Sequence, residues 1–330
     1  MKMKQIIILL ILVISPLLIA QEKKIKNETP VDTSFTLLGT AKKIAKDFPF
    51  AKLVKQGLPN RVIEKKNVVY CSLGDRKLHL DIYSPKRKDN KKFPGVILIH
   101  GGGWKSGNRS MEAPMAQHLA MNGFVAATVE YRLSPEAKYP AAIYDLKSAI
   151  RWMRANANKF NIDSSKIAVY GSSSGGHLAA FLGATNGLKK FEGSEGNLNH
   201  SSDVEAVVDI DGILDFTNPA ESGKDNDPEK PSVGKLWLGY SFKEKPELWI
   251  EASPLSYVSQ KTPPFVFINS SLERFHAGRE TFIEKLRSYN TYFEIHTMPD
   301  TPHTFWLFHP WFNKTADYII NFLNKIFKGV

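Results

Sequence analysis

Five residues, Gly171-Ser172-Ser173-Ser174-Gly175, set a serine between two glycines straight after the apolar run Ile167-Ala-Val-Tyr170. A serine exposed at the tip of a strand must sit in a strained turn, and the positions two before and two after it then crowd neighbouring backbone, where only glycine fits. Upstream, His100-Gly-Gly-Gly103 and Trp104 follow another apolar run. Consecutive glycines leave backbone N–H groups free to point at a developing oxyanion and leave room for a carbonyl to approach. Gly102 and Gly103, with the N–H of Ser174, are the expected donors. A histidine near the carboxyl end completes this chemistry as general base, and His303, in Asp300-Thr-Pro-His303, stands in that place. His296 reads as part of a strand, His309 belongs to an aromatic run, and His276 is the remaining alternative. A carboxylate must orient the base and stabilise its imidazolium. Glu273, the first carboxylate after Phe265-Val-Phe-Ile-Asn269, is the expected acid, with Asp215 and Asp300 as rivals. A charge at 273 equally suits the start of a helix. The chemistry these types support is two-step acyl transfer through Ser173, with no metal or organic cofactor.

Such groups need a rigid frame, and the chain alternates accordingly. Strands are expected at 67–72, 77–83, 95–100, 124–131, just before Gly171, and at 204–211, 264–269 and 292–298. The first two read as a hairpin across Leu73-Gly-Asp-Arg76. Gly95-Val-Ile-Leu-Ile99 is uninterrupted apolar sequence, as in a strand buried on both faces. Helical spacing marks 35–48, 140–160 and 315–327, and Leu178 onward. This alternation predicts an α/β fold: about eight strands, mostly parallel, with helices on both faces. Residues 21–60 form a lead-in and a helical cap, and 61–330 the main domain. Looser stretches around 186–202 and 219–253 are expected as insertions over the carboxyl edge of the sheet, where a substrate would enter.

His100-Gly-Gly-Gly103, Tyr131-Arg-Leu-Ser-Pro-Glu136, Tyr139-Pro-Ala-Ala142 and Gly171-Ser-Ser-Ser-Gly-Gly176 occur in an order that resembles the α/β-hydrolases. More narrowly, the chain resembles the hormone-sensitive-lipase-like esterases and the Bacteroidetes feruloyl/acetyl esterase-like group. The resemblance covers about residue 65 onward. It implies serine ester hydrolysis, with Ser173, His303, Gly102 and Gly103 in the family's roles. Two features depart from it. Ser172 and Ser174 flank the nucleophile where relatives often carry Asp and Ala, and Asn269-Ser-Ser-Leu-Glu273 replaces the usual H-G-x-x-D signature near the acid.

The formal charge of +11 comes with lysines scattered through surface-like segments, which argues against nucleic-acid binding. The lone cysteine, Cys71, allows no intramolecular disulfide and reads as a buried small hydrophobe. Lys2 and Lys4 precede the apolar run Ile6 to Ile14, then Ser15-Pro16 and Ala20-Gln21. That is the pattern of a signal peptide over 1–20, cut before Gln21, with no membrane span kept afterwards and export to the periplasm or medium. Export, the polar insertions and the aromatics Trp104, Trp306 and Trp311 suit an ester-decorated polysaccharide such as acetylated or feruloylated xylan or pectin. A short acetyl pocket is the first expectation. A lipase or general carboxylesterase, a peptidase or amidase of the same fold, and a non-catalytic binding protein are the alternatives.

Overall fold

The computed structural model describes residues 32–87, 91–223 and 229–329, and the expected signal peptide lies outside them. All eight expected strands form one sheet: β2 (Val62–Leu73), β3 (Arg76–Pro85), β4 (Phe93–Ile99), β5 (Val125–Val129), β6 (Ile162–Ser172), β7 (Ala206–Ile210), β8 (Phe265–Ser270) and β9 (Phe293–Met298). Their spatial order is β2-β3-β5-β4-β6-β7-β8-β9. The β2–β3 hairpin and β3–β5 are antiparallel, and every pairing from β5 to β9 is parallel. The central strands β4, β5, β7 and β8 are buried at every position, which is why their sequences show apolar runs instead of alternation. Two short strands absent from the sequence reading, β1 (Lys52–Leu53) and β10 (Phe308–His309), pair antiparallel beside the main sheet.

Helices α3 (Ala141–Ala155), α4 (Ser174–Ala184) and α7 (Arg279–Ser288) cover one face. Helices α2 (Ala113–Met121) and α8 (Trp311–Lys328) cover the other, joined there by α1 (Leu37–Asp47). Side chains along β4 divide between the two cores by the strand's period of two: Ile97 and Ile99 enter the first, Val96 and Leu98 the second. Helix α1 is opened by Thr36, whose Oγ1 accepts the Gly39 N–H, and it lays Leu37, Ala41 and Ile44 on the second core. Helix α8 seals that core with Ile319, Phe322 and Leu323, each fully buried and contributing roughly 1.5–3 kcal/mol. Among the described residues no helix is long and apolar enough to cross a membrane.

The two looser stretches lie at opposite ends of the sheet, which corrects one of the expectations. The described residues of 219–253, namely 219–223 and 229–253, do follow the carboxyl end of β7; they include helices α5 (Val233–Leu238) and α6 (Pro246–Glu251), and α5 brings Val233 to the site. Residues 186–202 do not. Helix α4 starts at the carboxyl edge and runs back along the sheet, so the chain beyond it emerges at the amino edge. There Asn186 Nδ2 donates to the carbonyls of Val204 and Lys261, the approaches to β7 and β8.

Candidate active site

The sharp turn at Ser173 follows from the chain's own crowding. Ser173 holds φ +56° and ψ −122°, a conformation costly for a residue with a Cβ. A Cβ on Gly171 would lie 1.9 Å from the Gly175 carbonyl oxygen, and one on Gly175 2.2 Å from that of Ile99. Both glycines are therefore obligatory, and the tension they permit throws Ser173 Oγ out at the tip of β6. Ser174 opens α4, and the first N–H groups of a helix have no partner within it.

The glycine loop after β4 is held from below. His100 is buried, its Nδ1 lies 2.8 Å from the Gly101 carbonyl, and its ring stacks on Tyr131 at 4.6 Å. Burial pushes the His100 imidazole down to about 4, so it is neutral and donates through Nδ1. Tyr131 Oη donates to the His100 carbonyl at 2.9 Å. Gly102 has φ +129°, and a Cβ there would sit 2.1 Å from the Ser106 carbonyl oxygen. Gly103 has φ +60° and, with Gly102, lines a pocket of about 190 Å³ together with Ser173 and His303.

His303 Nε2 is 2.8 Å from Ser173 Oγ, and its Nδ1 is 2.9 Å from Asp211 Oδ2. The ring lies flat on Phe275 at 3.6 Å and meets the edge of Trp306. The carboxylate on the histidine is thus Asp211, and none of the three expected candidates. Glu273 is exposed at the start of a short 3₁₀ turn, the helix-start charge its position equally suited. Asp215 Oδ1 accepts from the Thr217 N–H and hydroxyl, and Asp300 is exposed in the turn after β9. Asp211 is fully buried one residue past β7, where it accepts from the Ser270 N–H and Ser270 Oγ, both at 2.7 Å. The end of β8, where Glu273 was expected to follow as the acid, instead supplies the donors that hold Asp211. The available signal was Asp209-Ile-Asp211: carboxylates closing a strand with no solvent-facing side are too costly to bury without a partner.

Asp209 sits beneath the same turn. Its Oδ1 accepts the Gly212 N–H at 2.9 Å, and burial pushes its carboxyl well above the usual range. Deeper still, Ser172 Oγ donates to Glu112 Oε1 at 2.7 Å, and complete burial raises Glu112 to about 7. His276 Nε2 contacts the Ser270 carbonyl instead of Ser173, and His296 stacks on Tyr318 beside Glu294.

The three tryptophans separate. Trp104 is buried, stacked on Trp237 and donating through Nε1 to His177 Nδ1, so it braces the glycine loop and cannot meet a sugar ring. Trp311 packs against Phe48 and Phe50. Only Trp306 lines the pocket. Nothing in the sequence marked two further lining residues, Ser34 and Phe35 from the lead-in. The lead-in is pinned there by a bridge from Asp32 to Ser106 and an ion pair, Asp32 to Lys105 at 3.1 Å.

A serine, histidine and buried carboxylate carried on the ends of β6, β9 and β7, over a mostly parallel sheet, define an α/β-hydrolase. The chain belongs to the BD-FAE family, whose model matches residues 80–274. It is 31% identical to esterase LipC of Mycobacterium tuberculosis over 237 residues, 69% of this chain and 56% of LipC. The chain spans about half the length of the curated relatives it matches. Its fold is similar to a truncated carbohydrate esterase from gut microbiota, with TM-score 0.70 and 29% identity over 83% of this chain and all of that one. It is also similar to propionate-bound esterase 2 of Thermogutta terrifontis, with TM-score 0.65 and 25% identity over 81% and 95%.

Proposed function

We propose that the protein is an exported serine esterase that removes short acyl groups, acetyl first, from decorated polysaccharides such as xylan or pectin. The observation that carries this reading is the unbroken line from Ser173 Oγ through His303 to Asp211, beside the glycine loop. Asp211 accepts a hydrogen bond from Nδ1–H, which leaves the lone pair of Nε2 facing Ser173. In the first step His303 takes the Ser173 proton as Oγ bonds to the ester carbonyl carbon. The resulting oxyanion is held by the N–H groups of Gly102, Gly103 and Ser174. The imidazolium then protonates the leaving alcohol, the C–O bond breaks, and the acyl group stays on Ser173. Water repeats the sequence and frees the acid.

A pocket of about 190 Å³ suits a small acyl group better than a long chain. The gut-microbiota structural relative, a carbohydrate esterase by its title, supports the sugar side of the reading. Export rests on the pattern of residues 1–20, and mature protein recovered from the periplasm or medium is expected to begin at Gln21. The deciding test is a panel of 4-nitrophenyl acetate and longer esters, acetylated and feruloylated polysaccharides, and peptides. Acetate release from xylan or pectin, abolished in Ser173→Ala, is expected. Cleavage of long-chain lipid esters alone, or of amides, would replace this reading with a lipase or an amidase.

A further inference from the structure

At the amino edge of the sheet, far from Ser173, two cavities of about 270 and 210 Å³ lie side by side and share Arg87 and Phe93 as walls. Lys91, Lys92, Lys166 and Lys328 line the larger, Lys65 and Lys159 the smaller, and Arg87 lines both. Asp163 is the single carboxylate among the described lining residues, 3.9 Å from Lys166. Lys328 lies 4.5 Å from the Phe124 ring centroid, and burial first, then the charge of Lys91, lowers its ammonium. Ammonium groups gathered round one opening repel each other, and a bound polyanion relieves that repulsion.

The walls between these cations are apolar. Phe93, Pro94 and Phe327 line one cavity, and Phe160, with Lys65 and Lys159 at 5.7 and 5.6 Å from its centroid, lines the other. Sugars that carry carboxylates present both matching surfaces: C–H ring faces for the apolar walls and single anionic groups for the ammoniums. Lysine supplies compact point charges on flexible stems, which suits carboxylates spaced along a chain. Phosphate recognition favours forked guanidinium groups, and among the described lining residues here six lysines surround the single arginine, Arg87.

We propose that this amino-edge surface is a second binding site, for a polyuronate chain, which keeps the protein on its polymer while the opposite edge works on the esters. The link to catalysis rests on the polysaccharide reading above, but the binding does not. The test is affinity electrophoresis of the full chain in gels containing de-esterified polygalacturonate, which offers no ester. Wild type is expected to be retarded. Neutralising Lys65, Lys91, Lys166 and Lys328 to Gln together should weaken the apparent affinity at least tenfold and flatten its salt dependence. A control with Lys42, Lys43, Lys46 and Lys243 changed to Gln loses the same net charge elsewhere and should bind like wild type. Both variants should keep wild-type turnover of 4-nitrophenyl acetate, which shows that they fold. Equal weakening in the control, no retardation of wild type, or binding to phosphatidylglycerol vesicles without polygalacturonate binding would overturn the proposal. A protein that is retarded yet inert toward every polysaccharide ester would retain this site and lose the functional reading instead.

Discussion

Asp211 governs the site through its position at the end of β7, where it is stripped of solvent and given four donors: the Ser270 N–H and Oγ, His303 Nδ1 and, at 3.5 Å, Asn269 Nδ2. Asp211→Asn would offer an N–H where an acceptor is needed and favour the wrong imidazole tautomer. It should lower kcat on 4-nitrophenyl acetate by about 10⁴ while leaving the fold intact. Glu273→Gln should keep kcat/KM within about twofold of wild type, because that side chain stands in solvent. A loss in the second variant with none in the first would return the acid to Glu273. Gly102→Ala drives a Cβ onto the Ser106 carbonyl and displaces an oxyanion donor. Its expected cost is about 10²–10³ in kcat, with KM changed little.

Elements act on the site from two sides. From behind, the start of α2 meets the end of β6 where Ser172 donates to Glu112. A buried carboxyl that titrates at about 7 holds its proton more tightly in the folded chain than in the unfolded one, where its ordinary value is 4.5. Its contribution is therefore complete below pH 4.5 and is lost as pH rises toward 7, by up to about 3 kcal/mol. Asp209 acts in the same sense. His100 and His177 act oppositely. Burial holds them down to about 4 and about 3, so stability is lost as pH falls below 6.5 and the unfolded chain takes up their protons. Thermal midpoints measured from pH 4 to 8 should trace a dome, and Glu112→Gln should flatten its alkaline side. An unchanged slope above pH 5 in that variant would dismiss Glu112 as the cause. From in front, the lead-in narrows the pocket with Phe35. Phe35→Ala should raise kcat/KM for butyrate relative to acetate esters by several-fold, and an unchanged ratio would remove the lead-in from acyl selection.

Across the whole molecule the sheet divides labour between its edges. Catalytic groups gather at the carboxyl ends, while the amino edge carries structural ion pairs and the basic cavities. Lys147 and Arg151, both fully buried on α3, are held by Glu192 at 3.2 and 2.7 Å. Glu192→Gln would leave two buried cations with only carbonyl and hydroxyl partners and should cost about 3–5 kcal/mol. Because Glu192 belongs to the amino edge, kcat at a temperature where the variant is folded should equal that of wild type. A stability loss under about 1 kcal/mol, read from urea unfolding, would show that the remaining hydrogen bonds suffice.

Local chemistry in the sequence determined the eight strands, the elbow at Ser173, the glycine loop at Gly102 and Gly103, and His303 as the histidine beside the serine. Each is written in residues close together: apolar runs encode buried strands, and flanking glycines encode an approach that no Cβ survives. The carboxylate was decided only in three dimensions. Ser270 and His303 lie 59 and 92 residues from Asp211, and sequence spacing does not say which strand end faces the imidazole. The pocket wall made by Phe35 and the placement of 186–202 were likewise tertiary outcomes. One depends on where a lead-in docks, and the other on the direction in which α4 carries the chain. Order along the chain pointed to the first carboxylate after β8, Glu273, for the acid. Packing put the acid on the neighbouring strand and left β8 to hold it.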